Sequence, residues 1–182
     1  MNNSGALLII EDDLDVQRAA RIALAGEFAR IDTLAAPDEQ LESCLTTASY
    51  ELVLLDMNFV SGERSGVAGL DALARIRESD NTLAVVLMTA FGGVQLAVEA
   101  LKRGATDFVL KPWHNEKLAA TVAAAAKVTR ARREAEAQTL EQLERDAIER
   151  ALARAEGNIS VAASALGLSR PALYRRMNKH GL

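Results

Sequence analysis

The chain is expected to fold as an α/β protein, a doubly wound five-stranded parallel sheet, followed by a small all-α helix-turn-helix domain. Three observations predict this. Apolar runs alternate with segments of helical periodicity, several of those runs end in a residue able to do chemistry, and the last part of the chain loses its strand-like runs and turns basic. Alternation of this kind is the pattern of a parallel βα repeat, whose central strands are covered by helices on both faces and therefore read as continuous apolar stretches.

The strands are Ala6-Leu7-Leu8-Ile9-Ile10, a weaker one at 30–34, Leu52-Val53-Leu54-Leu55, Val85-Val86-Leu87-Met88 and Phe108-Val109-Leu110. Amphipathic segments at 16–27, 38–48, 68–78 and 94–103, and a long one from Asn115, supply the helices. Pro37 is placed at the start of the second helix, where a missing amide hydrogen costs little. Residues 118–138 contain neither Gly nor Pro and grow charged toward their end, which predicts a fifth helix running into a helical connector.

From Thr139 a further helical stretch reaches about Glu156, with Leu140, Leu143, Ala147, Ile148, Ala151, Leu152 and Ala155 as its apolar stripe. Gly157-Asn158 closes it in the manner of a C-cap. A short helix from Ser160 to Leu166, a turn at Gly167, Ser169 as an N-cap and Pro171 near the first helical position introduce a last helix reaching His180. Counted from Ile159, the fifth position is Ala163, where two helices touch and a small residue is needed. The ninth is Gly167, where the turn requires φ > 0, and the fifteenth is Leu173, which is expected inside.

Charge supports a division of the chain. Residues 1–125 hold 10 Lys/Arg against 18 Asp/Glu, a net of −8, and residues 126–182 hold 11 against 7, a net of +4. Beyond Gly157 there is no acidic residue, while Arg170, Arg175, Arg176 and Lys179 remain, an asymmetry that suggests a nucleic-acid-facing segment. A solvated basic helix is the bland alternative. The expected domains are 1–125, a helical linker at 126–138, and 139–182.

A single cysteine, Cys44, forms no internal disulfide and fits a reducing compartment. The first apolar run is cut short by Glu11, and the alanine-rich stretch at 118–126 is too short to cross a bilayer. A cytoplasmic protein without membrane partners is expected.

The chemistry sits where the strands end. In an open parallel sheet, groups beyond the carboxyl ends converge on one crevice. Glu11, Asp12 and Asp13 follow the first strand, Asp56 the third, Thr89 the fourth, and Lys111-Pro112 the fifth. Any one of these carboxylates alone is more often a cap or turn residue. Together, Glu11, Asp12 and Asp56 place several negative charges close to one another, which a hard cation such as Mg²⁺ makes tolerable. A carboxylate can also accept a phosphoryl group, with the metal and the Lys111 ammonium compensating its charge. Thr89 would donate to a phosphoryl oxygen, small Ala90 leaves an approach open, and Gly92-Gly93 gives the loop freedom. The Lys111-Pro112 bond, in the cis form, would aim the amine inward.

At these residues the chain resembles the receiver domain of bacterial two-component response regulators over about residues 5–125. The resemblance makes Glu11-Asp12 the acidic pair, Asp56 the phosphoacceptor, Thr89 the switch hydroxyl, Phe108 the aromatic switch and Lys111 the family's lysine. It implies a flavodoxin-like sheet of order 2-1-3-4-5, of the kind a chemotaxis receiver exemplifies. It also implies Mg²⁺ held by the side chains of Asp12 and Asp56 and the backbone carbonyl of Asn58, with Glu11 in the same acidic cluster. One departure is the stretch 57–67, longer than usual and lacking proline, in which Glu63 and Arg64 are candidates for altering phosphate lifetime or partner choice, with plain solvated loop residues as the reading the residue types favour.

Residues 139–182 are similar to the Fis-type helix-turn-helix that closes nitrogen-regulator-type activators. The intervening ATPase domain of those activators has no room here, and no Gly-x-x-x-x-Gly-Lys-Ser/Thr loop occurs. The combination implies a short transcription regulator phosphorylated on Asp56 by a sensor histidine kinase. Its partners would be double-stranded DNA, RNA polymerase and, when phosphorylated, a second copy of itself. It would not be an enzyme beyond its own phosphotransfer and dephosphorylation. For the DNA interface the expected residues are Ser169, Arg170, Pro171, Tyr174, Arg175, Arg176 and Lys179. Arg170 and Arg175 are assigned to bases, Arg176 and Lys179 to the phosphate backbone, and Tyr174 has the core as its alternative. The rival readings are a DNA-binding pseudo-receiver without a switch, a Mg²⁺-dependent phosphatase or phosphotransferase using Asp56, and an RNA-binding C-terminal region.

Overall fold

A computed structural model of the protein describes residues 5–59, 66–90 and 94–182. Five strands, β1 (Ala6–Ile10), β2 (Arg30–Leu34), β3 (Tyr50–Asp56), β4 (Ala84–Ala90) and β5 (Asp107–Lys111), alternate with α1 (Leu14–Ala23), α2 (Gln40–Thr47), α3 (Val67–Ser79) and α4 (Val94–Lys102). The sheet is parallel throughout, in the order β2-β1-β3-β4-β5. Helix α5 (Asn115–Arg154) is continuous, and α6 (Ile159–Ala165) and α7 (Arg170–His180) follow it. Two compact units result, Met1–Arg132 and Arg133–Leu182.

Strand periodicity sorts the core of the first unit into two layers. Leu8, Ile10, Val53, Leu55, Val85 and Leu87 face one way and pack with Leu41 of α2, Leu73 and Ile76 of α3 and Ala100 of α4. Leu7, Ile9, Leu52, Leu54, Val86 and Met88 face the other way and pack with Ala20 and Leu24 beside α1 and with Leu118, Val122 and Ala125 of α5. Burying each such leucine or isoleucine contributes about 1.5–3 kcal/mol, so the central strands are the rigid base on which the site stands.

Several boundaries differ from the sequence expectation. Helix α2 starts at Gln40, not at Pro37, because the Asp38 carboxylate caps the Gln40 amide at 2.9 Å and holds residues 37–39 outside the helix. Helix α1 ends at Ala23, ahead of a turn through Gly26 at φ 101°. Asn158 does not close the preceding helix; its side chain accepts from the Ser160 and Val161 amides and is the N-cap of α6.

In the second unit Ile148, Ala151, Ala162, Ala163 and Leu173 form the core. Ala163 and Leu173 are buried and Gly167 takes φ 65°, as the spacing predicts. Ser169 accepts from the Ala172 amide at 3.3 Å, and a proline opens α7. The anticipated stripe on α5 is only partly used: Leu140 and Leu143 are 67% and 55% exposed.

Candidate functional site

Parallel pairing brings the chemical residues to one edge of the sheet. Ile10 pairs with Leu55, Asp56 with Met88, Thr89 with Leu110 and Ala90 with Lys111. Glu11, Asp56, Thr89 and Lys111 thus occupy the ends of four adjacent strands.

Glu11 and Asp56 are almost fully buried, and Asp12 is exposed. Carboxylate oxygens of the three lie within 4.8 Å of one another. The Lys111 ammonium bridges two of them, donating to Glu11 Oε2 at 2.6 Å and to Asp56 Oδ1 at 2.8 Å. The Lys111–Pro112 peptide is cis. Asn58 donates its amide to Asp56 Oδ2 at 3.2 Å, while its side-chain oxygen is buried without a hydrogen-bond partner.

The electrostatics follow from this crowding. Burial pushes the Glu11 carboxyl up to about 7, with the Asp56 charge adding to the rise, although Lys111 acts against it. Burial on its own would lower Lys111, but its hydrogen bonds to Asp56 and Glu11 hold it above its ordinary value. Three carboxylates face one ammonium, so a negative imbalance remains. A hard divalent cation with oxygen preference suits that donor set, and the unpartnered acceptor on Asn58 beside Asp56 fits the same chemistry.

Thr89 is buried, and its hydroxyl lies a long 3.4 Å from the Ala90 carbonyl. Ala90 is exposed at the strand end. Phe108 is partly buried against the layer formed with α2, α3 and α4. The residues 60–65, which include Glu63 and Arg64, and Gly92–Gly93 lie outside the described residues.

Two supporting residues escape sequence reasoning. Gln17 of α1 sends its side-chain amide to the Glu11 carbonyl at 2.5 Å and to the Leu34 carbonyl at 3.4 Å, fixing the loop that carries Glu11 and Asp12. Gly69 of α3 lies where an added Cβ would come within 2.7 Å of Met57 Cα and 2.9 Å of its carbonyl oxygen, so α3 approaches the chain just past Asp56 only because this residue is glycine. A glycine inside an amphipathic segment was the available signal for it.

In the second unit, α7 presents Arg170, Pro171, Tyr174, Arg175, Arg176 and Lys179 to solvent. Tyr174 is half exposed and so does not belong to the core. Arg176 pairs with Glu144 at 2.9 Å and Lys179 with Glu141 at 3.1 Å, whereas Arg170 and Arg175 form no ion pair among the described residues. His180 Nε2 also lies 2.9 Å from Glu144 Oε2. Hydrogen bonding from His180 and the charges of Lys179 and Arg176 hold the Glu144 carboxyl below its usual range.

This arrangement of sheet, acidic cluster and lysine, followed along the chain by a helix-turn-helix, defines a response regulator. The chain belongs to the response regulator receiver domain family, whose model matches residues 7–123, and residues 139–180 match the Fis family of bacterial regulatory proteins. It is 33% identical over 121 residues to the transcriptional regulatory protein YkoG of Bacillus subtilis, covering 66% of this chain and 50% of that protein. It is 34% identical over 120 residues to the response regulator protein FleR of Pseudomonas aeruginosa, covering 64% of this chain and 24% of that one. The chain thus spans about half or less of the length of these curated relatives. Among solved structures, an N-terminal signal receiver domain from Bacteroides fragilis superposes with a TM-score of 0.61 at 40% identity, covering 67% of this chain and 96% of that one. NtrX of Brucella abortus in complex with ADP gives a TM-score of 0.66 at 27% identity, covering 81% of this chain and 34% of that one. Among the described residues, no helix is long and apolar enough to cross a membrane.

Proposed function

We propose that this response regulator is a phosphorylation-controlled transcription regulator, with 1–125 as the receiver, 126–138 as a helical linker and 139–182 as the DNA-binding output. A sensor histidine kinase is its phosphodonor and the cytoplasm its compartment. The observation that carries the reading is the Lys111 ammonium held between Glu11 and Asp56 at the end of the sheet.

Asp56 is the acceptor: one carboxylate oxygen forms the bond to phosphorus as the bond to the donor's histidine nitrogen breaks, leaving an acyl phosphate. Glu11, Asp12, Asp56 and the Asn58 carbonyl would hold Mg²⁺, which when bound supplies charge compensation for the transferring group. Lys111 stays within reach of both the carboxylate and an incoming phosphoryl oxygen and acts as a point charge. Thr89 exchanges its long approach to the Ala90 carbonyl for a bond to a phosphoryl oxygen, and Phe108 repacks as β4 shifts. The charge is local, so the output depends on a bistable surface, made of α4, β5 and α5, that this charge biases.

Dimerisation is the readout, and the exposed Leu140 and Leu143 support it as apolar surface without cover. Two helix-turn-helix units related by a two-fold axis bind half-sites about one helical turn apart. Arg170 and Arg175 reach base edges, a role supported by their freedom from ion pairs, while Arg176 and Lys179 grip phosphates, Tyr174 lies against the groove, and Ser169 and Pro171 set the start of the helix. RNA polymerase is met by occupancy of DNA near promoters.

Sedimentation of the wild type and Asp56→Asn, with and without Mg²⁺ and beryllofluoride, tests this. A shift toward dimer in the wild type that is absent from Asp56→Asn is expected. An unresponsive wild type that still binds DNA would return the protein to a switchless DNA clamp.

A further inference from the structure

Helix α5 is fastened to the two strands that carry Asp56 and Thr89, at the ends opposite those residues. Thr129 of α5 is fully buried, and its hydroxyl accepts from the amide of Ala84, the first residue of β4, at 2.8 Å. One residue further along, Arg130 donates its Nη1 to Glu51 Oε2 at 2.7 Å, at the amino end of β3. The arginine pair is partly open to solvent and individually weak, whereas the threonine bond is sealed from water.

The packing of α5 does not call for a hydroxyl there. Leu118, Val122, Ala125 and Ala126 already bury the helix against the sheet, and a valine at 129 would fill nearly the same volume without placing a polar atom in the core. A threonine inside a helix commonly turns its hydroxyl back on its own helix, but this one accepts from a strand. The second amide of β4, that of Val85, also goes to a hydroxyl, Thr106 Oγ1 at 3.3 Å, just ahead of β5. The amino end of β4 is thus held by α5 and by the approach to β5, and the compact unit that holds the site runs on to Arg132.

Strand β4 is seven residues long, about 20 Å at the rise of a strand, and is paired with β3 on one side and β5 on the other. A displacement of Thr89 is passed along so closely packed an element rather than absorbed by it. We infer that Thr129 is the fastening through which the state of Asp56 reaches α5. When Thr89 turns to a phosphoryl group, β4 shifts, and the bond from Ala84 to Thr129 carries the shift into the helix that continues past the compact unit. This coupling rests on the phosphorylation reading above and adds to it the point of transfer.

Amide resonances of the full chain, recorded with Mg²⁺ and again after beryllofluoride is added, test the coupling. In the wild type, Asn58, Thr89 and Ala90 at the site are expected to move together with Ala84 and residues 126–132. In Thr129→Val, which lacks the acceptor, the site resonances move as before while those of 126–132 stay still. Its Ala84 amide exchanges with solvent at least about tenfold faster than in the wild type, as loss of a buried acceptor implies. Thr129→Ser keeps the hydroxyl and restores the response at 126–132. A wild type whose site responds while 126–132 does not would overturn the coupling and leave the phosphorylation reading intact. A response at 126–132 in Thr129→Val equal to that of the wild type would overturn it as well. No response at either end would remove the phosphorylation reading and the coupling with it. Should Thr129→Val fail to fold, the wild-type pattern still decides by the same criterion.

Discussion

The Lys111 ammonium lies 2.8 Å from Asp56 Oδ1 and shares itself with Glu11 Oε2, so the proposed acceptor carboxylate is occupied by a cation of the protein's own. The oxygens that would face Mg²⁺ are therefore partly engaged by Lys111. Lys111→Met is expected to raise Mg²⁺ affinity by about tenfold, well below the roughly 4 kcal/mol that two charges at 4 Å exchange near a protein surface, because solvent reaches the rim. The same variant is expected to destabilise the metal-free chain by about 1.5–3 kcal/mol, since two buried carboxylates lose a charged hydrogen-bond donor. Titration with Mg²⁺ followed through the fluorescence of Trp113, which lies two residues beyond Lys111 and packs partly buried against the core layer shared with α1 and α5, together with urea unfolding in EDTA, checks both outcomes.

Glu11 gives the site a pH dependence whose sign is fixed by its raised carboxyl. Folded, Glu11 titrates at about 7, above the 4.5 of the open chain, so between those values the native state holds more protons. Stability in EDTA is thus expected to fall as pH rises through that window and to level off above it. The full effect is on the order of 3 kcal/mol. Mg²⁺ affinity runs the opposite way, increasing through pH 7 as the carboxylate becomes available. Glu11→Gln removes the downward slope, and urea midpoints from about pH 5 to about pH 8 measure it.

Gly69→Ala tests the close approach of α3. The added methyl would press on Met57 backbone atoms, which cannot rotate away, so a loss of about 1–3 kcal/mol is expected. Because Met57 follows Asp56 directly, beryllofluoride binding should weaken more than the stability loss alone would explain. Equal effects on both measurements would make Gly69 a packing residue only.

The strands and the acidic cluster were legible because each central strand is buried on both faces, which forces an unbroken apolar run, and parallel order alone then puts Glu11, Asp56, Thr89 and Lys111 together. The helix-turn-helix was legible for a similar reason: Ala163, Gly167 and Leu173 each answer a local steric demand. What escaped depends on tertiary partners. The brace from Gln17 to the Glu11 carbonyl needs α1 to be docked, and the start of α2 turns on a competition between Pro37 and the Asp38 cap. The pairing of Arg176 and Lys179 with α5 needs two helices to be packed together before any charge pattern can reveal it.

That pairing has a consequence for DNA affinity. Glu144 gathers Arg176, His180 and Lys179, the last at 3.7 Å, so this one carboxylate faces three basic groups of α7. A phosphate binding to Arg176 or Lys179 has to displace it. These pairs are exposed and individually weak, but the cost recurs for each basic group engaged. Glu144→Gln is expected to strengthen binding to random-sequence duplex severalfold and to steepen the salt dependence by about 0.9 for each additional phosphate neutralised. Base discrimination, which is proposed to rest on Arg170 and Arg175, should stay as it is, while Arg175→Ala should relax it and leave the salt slope nearly unchanged. Fluorescence anisotropy over a salt series with specific and random duplexes separates these effects. A Glu144→Gln chain with unaltered salt slope would place Arg176 and Lys179 off the phosphate backbone.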